Sequence, residues 1–413
     1  QRGNQTGYRV NVDGFYLDNT IGSLVNDIEI RDGDSIRVFV ELTSALNGND
    51  EPTLVEDNLL FILKSGVTQK VNLRAWSWDA DIVDSIIVSG DVTLNSPKPL
   101  VVRKGILVDS LATLTISYPA HIYFGANAGI DVYGRLLVNP DANEDVVLRG
   151  DRTDRMFPYL PYDRVSGQWQ GIHIRPSSKD NYIRYADIHS STNGIVCDSV
   201  GYDSLGVRLT LENVTIHNCK GAGLVAYNSN VNIVNSQITN TLGDCVAIYG
   251  GRAFIVYSTL AQFYPFDANR GVALRFANYD GKYNYPLYMF ECYNTLVTGY
   301  ADDVIMGETN DSTVAFNYYF QNNLLRTPVV SDSIRFVNVK WETPEDSVQG
   351  KQHFVLIDED NLIYDFHLDS LSTARGGAIP ASAYCDDRNG IMRKDDAPDI
   401  GCYEYVEKDK GIN

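Results

Sequence analysis

One short unit recurs between residues 181 and 325. Ile188, Ile216, Ile238, Leu260, Leu296 and Leu324 each close a β-like run with Asn, Ser or Thr just before them, and Ile216, Ile238 and Leu260 lie 22 residues apart. The neighbouring gaps of 28, 36 and 28 residues read as the same unit with insertions. A fixed period with occasional insertions describes a solenoid, in which each coil stacks on the last and extra residues leave as loops.

Coils of about 22 residues holding two or three strands suit a parallel β-helix, and consecutive parallel strands in one sheet cross over right-handedly. A propeller blade would need about 40 residues and four antiparallel strands. Leu209/Leu211, Val231/Ile233 and Ala253/Ile255 occupy equivalent alternating positions. Asn213 and Asn235 then line up at a corner, where stacked Asn side chains are expected to hydrogen-bond along the axis and satisfy turn backbone. Short strands separated by Gly, Asn and Pro turns extend the same texture back through residues 111–148.

Residues 1–96 read as a separate small β-sandwich of immunoglobulin-like type, with strands expected at 28–30, 35–42, 59–63 and 71–75. The two prolines of Asn95-Ser96-Pro97-Lys98-Pro99 oppose continued pairing and mark the expected boundary with a β-helix over 97–413. The fold class is therefore all-β: a right-handed parallel β-helix preceded by a small sandwich. The repeat decays after Ser331 into a polar tail, expected to cap the open end of the solenoid.

Acids outnumber bases 53 to 34, giving a formal charge of −19 that repels phosphate backbones and argues against a nucleic-acid partner. No apolar run reaches the roughly 18 residues a membrane helix needs. The chain starts at Gln1 without Met or a signal-like segment, as expected of a mature or truncated form. Cys197, Cys219, Cys245 and Cys292 read as small core residues, while Cys385 and Cys402 flank a loop-rich tail where an exported chain would have the option of a disulfide.

Function is sought where the period breaks. Residues 149–168 carry Arg152, Arg155, Tyr159, Tyr162 and Asp163, followed by Trp169, and show no alternation. The stretch reads as a long ordered loop, either a ligand wall or a flap stapled down by its own Arg–Asp pairs. Two further insertions, 262–270 and 278–286, carry Tyr264, Arg270, Tyr279, Tyr283 and Tyr285. If all three leave one side of the solenoid they form an aromatic-walled groove of the kind that takes sugars, or they are hydrophobic loop anchors.

Arg149-Gly150-Asp151-Arg152, Leu160-Pro161-Tyr162-Asp163 and Gly167-Gln168-Trp169-Gln170-Gly171-Ile172 together resemble a block found in right-handed β-helix surface lipoproteins of Gram-negative anaerobic bacteria. Asp387-Arg388-Asn389-Gly390-Ile391-Met392-Arg393, followed by Asp399-Ile400-Gly401-Cys402-Tyr403-Glu404, is similar to the ending of many exported bacterial β-helix proteins. Cys402 stands where those have Ala, and Ser372-Thr373-Ala374 where they have Ser-Pro-Ala. The resemblance implies a pectate-lyase-like fold, export to the outer membrane or cell surface, and a lipid anchor upstream of Gln1 as the sole membrane attachment. It implies no particular reaction.

Gly243-Asp244-Cys245-Val246-Ala247-Ile248 resembles the Gly-Asp-Asp-Cys-Val-Ala-Ile stretch of pectin-hydrolysing β-helix enzymes, with one Asp of the pair missing. Asp244 is accordingly expected to be a turn residue. Asp302 and Asp303 are adjacent and would point to opposite faces of a strand. A β-elimination lyase needs an Arg or Lys base, and Arg184, Arg270 and Arg275 are formally available. The six histidines show no zinc-like spacing, although His189 and His217 share a phase and are expected to stack. No metal or other cofactor is expected, and nothing indicates the Ca²⁺ such lyases carry. The reading is a non-catalytic surface module presenting a β-helix face to polysaccharide or cell-surface glycan. The alternative is a polysaccharide lyase or glycoside hydrolase, with Asp244, Asp302, Asp303 and Arg270 as weak catalytic candidates.

Overall fold

The computed structural model describes residues 6–18, 22–46, 48, 52–201, 206–394 and 396–407, and divides into two compact units, Gln1–Asp81 and Ile82–Asn413. The first holds a three-stranded antiparallel sheet, with Tyr8–Val12 between Phe15–Leu17 and Val38–Leu42, and a long hairpin of Thr53–Ile62 against Thr68–Ser77. Alternate burial along Tyr8–Val12 fits a strand with one packed face. Residues 28–30 form no strand.

The divide falls after Asp81 because residues 95–99 lie inside one strand, Val92–Val108. The prolines are absorbed where its parallel pairing with Thr113–Phe124 shifts register, between Leu94 and Ser96 and between Ser96 and Leu100. A register shift is a place where a missing N–H costs little.

Beyond it the chain winds through three parallel sheets. The first takes Arg135–Val138, Asn181–Arg184 and Leu209–Glu212, then the later halves of Leu224–Val234 and Val246–Val256. The second runs through Val146–Gly150, Ala186–His189, Thr215–His217, Gln237–Thr239, Thr259–Gln262, Leu296–Gly299, Leu324–Arg326 and Lys340–Glu342. The third takes Ile130–Val132, Ile172–Ile174 and Ile195–Cys197, the opening halves of the same two long strands, then Leu274–Ala277 and Ile305–Glu308. Inward positions are aliphatic and fully buried, among them Ile188, Ile216, Ile238 and Leu260 of the second sheet. Cys197, Cys219, Cys245 and Cys292 pack in this core, and burial pushes each thiol up to about 12.

The corner from first to second sheet is one left-handed residue: Asn139, Tyr185, Asn213, Asn235, Tyr257, Asn294, Asn322 and Asn338 all have φ between 40° and 56°. Asn tolerates this conformation better than most side chains. From Tyr185 to Asn322 the corner N–H continues the ladder to the next coil, as from Asn213 to Val234 O (3.1 Å) and from Asn235 to Val256 O (3.1 Å), while Asn139 N donates back to Ile116 O (2.6 Å). The expected side-chain stack runs one residue later instead. Ser236 Oγ accepts from Val214 N, Ser258 Oγ from Ser236 N, Thr295 Oγ1 from Ser258 N and Asn323 Oδ1 from Thr295 N, at 2.8–3.4 Å. The corner amides turn outward: Asn235 donates to Asp386 O and accepts from Arg393, while Asn294 donates to and accepts from the Ile379 backbone.

Those partners belong to the tail, which lies along the flank of the second sheet rather than over the open end. Gly401 N donates to Asn294 O, Cys402 N to Thr259 Oγ1 and Tyr403 OH to Gln237 Oε1, so residues 401–403 step backwards across successive coils, and Arg388 Nε donates to Thr215 Oγ1 on the coil before those. It packs there because Val234, Val256, Tyr257, Leu296 and Leu324 offer an apolar strip to Ile400, Cys402 and Tyr403. Cys402 is buried, Cys385 is exposed, and both thiols are free.

Arg393 is buried, stacks 3.9 Å above the Tyr257 ring and faces Glu404 at 3.6 Å. Arg393→Ala is expected to cost about 3–5 kcal/mol, as for breaking a buried ion pair; urea unfolding measures it, and limited proteolysis should cut the tail first. A second anchor is Glu342, buried between Arg326 and His353, with Thr298 Oγ1 donating to it (2.9 Å). Burial raises the Glu342 pKa, but His353, the Gly350 N–H and Arg326 outweigh it and hold it below the ordinary value. A carboxyl depressed in the folded state contributes stability above its unfolded pKa, and loses it as pH falls through the folded one. The stability gap between the wild type and Glu342→Gln should therefore be widest near neutral pH and close on acidification, read from urea midpoints across a pH series.

Candidate functional site

The three insertions do not share a side. Loops 149–168 and 262–270 both leave between the second and third sheets, whereas 278–286 leaves between the third and the first. They stand on opposite margins of the third sheet, and what lies between them is that sheet's outer face.

Outward positions on this face form two columns. One reads Asp131, His173, Val196, Val225, Ala247, Arg275, Met306; the other ends in Tyr227, Tyr249, Ala277, Glu308, with Arg175 and Asp198 on the coils before. At one end Arg175 Nε donates to Asp131 Oδ1 (2.9 Å) and Nη1 stands 3.6 Å from Asp198 Oδ2, while His173 Nε2 meets Asp198 Oδ1 (2.7 Å). Arg208, fully buried, underpins this end by donating to Arg175 O (2.7 Å), Ser178 O (3.2 Å) and Ser229 Oγ (2.6 Å), and to Asp198 O. At the other end Arg275 Nε donates to Asp244 Oδ2 (2.6 Å) and Nη1 to Glu308. Burial lowers the pKa of both Arg175 and Arg275, but Asp131 in the first case and Asp244 in the second raise it above the ordinary arginine value.

Between the two clusters Tyr227 and Tyr249 stack at 5.3 Å with 10° between their planes. Rings stacked along the solenoid axis turn their edges and hydroxyls, not their faces, to solvent. Burial raises both phenols, Tyr249 to about 12, so they remain protonated donors. An exposed ring stands at the margin, where Tyr283 is 53% exposed, has Lys282 Nζ 4.8 Å from its centroid and tilts against Tyr285 at 6.2 Å; Tyr279 in the same loop bridges to Asn284.

The other residues expected in a groove hold the loops down. Trp169 is fully buried, stacks on Phe124 (4.5 Å) and donates Nε1 to His189 O (2.8 Å), so its ring is closed to a ligand. Arg152 pairs with Asp154 (2.6 Å) and lies 3.8 Å over the Tyr162 ring. Arg155 donates to Pro158 O (3.0 Å), Asp163 O accepts from Ser190 Oγ, and Tyr264, 5% exposed, bonds Ser166 Oγ (2.8 Å). Arg270 covers the Tyr300 ring (4.7 Å), and Tyr159 is exposed, stacked on Phe157 (5.7 Å). Asp302 and Asp303 lie before the strand Ile305–Glu308 rather than in it, on Arg326 (2.9 Å) and Thr327 (2.8 Å) respectively. Asp244 lies just before Val246–Val256, its Oδ1 accepting from Val272 N (2.8 Å).

On the second sheet His189 and His217 are register partners and stack at 4.8 Å. His189 Nδ1 and His217 Nε2 both reach Asp187 Oδ1, at 2.9 and 3.2 Å. Burial raises the Asp187 pKa, and the two imidazoles outweigh it and hold the carboxyl well below the usual range.

Residues 152–261 match the family model described as a right handed beta helix region. The solenoid is a right-handed parallel β-helix. No curated protein matches the chain. Among solved structures the chain is similar to one described as the crystal structure of pectate lyase Pel9A, at 12% identity, with 79% of this chain and 86% of that one covered and a TM-score of 0.35.

Sequence reasoning passed over Asp131, Arg175, Asp198, Tyr227, Tyr249 and Glu308. The usable signal was the period itself, since Tyr227 and Tyr249 lie one 22-residue coil apart. Removing the cation shared by Asp244 and Glu308 leaves two carboxylates facing each other. Arg275→Ala should lower stability by about 1–3 kcal/mol and Arg275→Lys by less, measured by urea unfolding.

Proposed function

We propose that this chain is an exported surface protein, lipid-anchored upstream of Gln1, whose third sheet binds a polysaccharide or cell-surface glycan without cleaving it. Export and anchoring rest on the resemblance of the 149–172 block and the tail; Gln1 itself lies outside the described residues. The N-terminal unit is taken as a small β-sandwich, on the support of its antiparallel sheets.

The observation that carries the binding reading is the pairing of charge along the face. Each carboxylate of the two clusters is engaged by an arginine or histidine on a neighbouring coil: Asp131 with Arg175, Asp198 with His173, Asp244 and Glu308 with Arg275. The carboxylates that a hydrolase would aim at a leaving oxygen and at a water are turned here into ion pairs with their neighbours on the face. A β-elimination base must lose a proton, and the flanking acids make that harder for Arg175 and Arg275. Hydroxyls of Tyr227 and Tyr249, the exposed Tyr283 ring and fixed ion pairs are what a sugar chain is bound by. The acidic balance of the chain favours an uncharged glycan over a polyuronate.

Affinity electrophoresis in neutral and uronate polysaccharides, with a degradation screen in Ca²⁺ and in EDTA, tests this. Retardation by a neutral polysaccharide is expected, weakened roughly 5- to 100-fold when Tyr227→Phe and Tyr249→Phe remove two hydrogen bonds. Release of reducing ends or unsaturated uronides would instead establish the hydrolase or lyase alternative.

A further inference from the structure

The second sheet carries a constellation that glycan binding does not use. Asp187 and His189 are two apart on one strand, so both face outward, and His217 is the register partner of His189 on the next coil. Their donor atoms, one from each residue, all lie within 4.8 Å of one another. From these residues we infer a divalent transition-metal site of the two-histidine, one-carboxylate type, filled by zinc or a metal of similar preference.

Three features argue for it. The chemistry of the donors is the first: imidazole suits Zn, Cu, Fe and Ni, and three protein ligands with the remaining positions open describe reactive rather than structural zinc sites. Convergence is the second. His189 Nδ1 and His217 Nε2 come from different coils yet aim at the same carboxylate oxygen, at 2.9 and 3.2 Å. Metal–ligand bonds of about 2.0–2.2 Å place neighbouring donors of a tetrahedral site roughly 3.3 Å apart, so small side-chain rotations suffice to admit an ion.

Rigidity and access are the third. Strand register fixes the spacing, and the His189 carbonyl is held by Trp169 Nε1 (2.8 Å), itself stacked on Phe124 in the core. The His189 side chain is 8% exposed, but Asp187 at 30% and His217 at 27% leave a way in for an ion and for a water or anionic oxygen to complete its shell. Arg149, the charge nearest on the preceding coil, is turned toward Asp163 (3.8 Å).

The test uses the full chain without an affinity tag, stripped with chelator and dialysed, then titrated with ZnCl₂ by calorimetry and with CoCl₂ by visible spectroscopy. One Zn²⁺ per chain and cobalt d–d bands without a thiolate charge-transfer band are expected. His217→Ala and Asp187→Ala should each weaken zinc by more than the roughly 10- to 100-fold that outer-shell partners cost. His217→Gln serves where either variant misfolds by far-UV circular dichroism, and His121→Gln, at an exposed position two coils away, should leave the zinc titration unchanged. Absence of stoichiometric zinc, binding that survives His217→Gln, or a thiolate band would each overturn the site and leave a hydrogen-bonded stack.

Discussion

Everything in the solenoid depends on a backbone conformation held by one residue per coil. At each first-to-second corner the chain turns through a left-handed residue, and only because it turns in one step does the following strand land in register on its predecessor. Such a residue is strained unless its side chain tolerates positive φ, which is why Asn fills most of these corners. Its N–H stays in the ladder, so the turn costs no hydrogen bond. The residue after it, Ser236, Ser258, Thr295 or Asn323, then supplies an acceptor to the neighbouring coil, and the corner is tied along the axis as well as around it.

Freed from holding one another, the corner amides became available to the tail. Asn235 and Asn294 bind it through both amide atoms, and Asp387, Arg388, Arg393, Asp399 and Glu404 complete the attachment. Asp387 alone accepts from the N–H groups of Asn389, Ile391 and Glu404. Arg388 reaches Asp145 across 243 residues. The segment most suggestive of a family resemblance is thus a clamp, and its charged residues are structural ones.

How much of this was legible follows from what each inference needed. The period fixed the inward column, because apolar residues at Ile216, Ile238 and Leu260 need no knowledge of neighbours. The corner asparagines were visible, but the direction of their amides depends on a tail some 150 residues away. Pro97 and Pro99 read as a boundary because sequence alone does not show the register shift that lets the strand keep going without two N–H groups. Trp169 and Tyr264 looked like ligand walls, since an aromatic in an aperiodic stretch reads the same whether it faces solvent or, as here, pins its loop to a core.

The groups that can act chemically are dispersed along the chain and assembled only by register. Asp131, Arg175 and Asp198 span 67 residues of sequence yet sit on successive coils of one sheet. On another, Asp187 and His189 of one strand meet His217 of the next coil. A motif search scans along the chain, where His189 and His217 are 28 residues apart and match no metal pattern. In a solenoid the informative neighbour is one coil away, and a coil that gains a loop moves that neighbour to an unpredictable sequence distance without moving it in space. Insertions such as 262–270 therefore hide sites from the sequence while leaving the columns that form them intact.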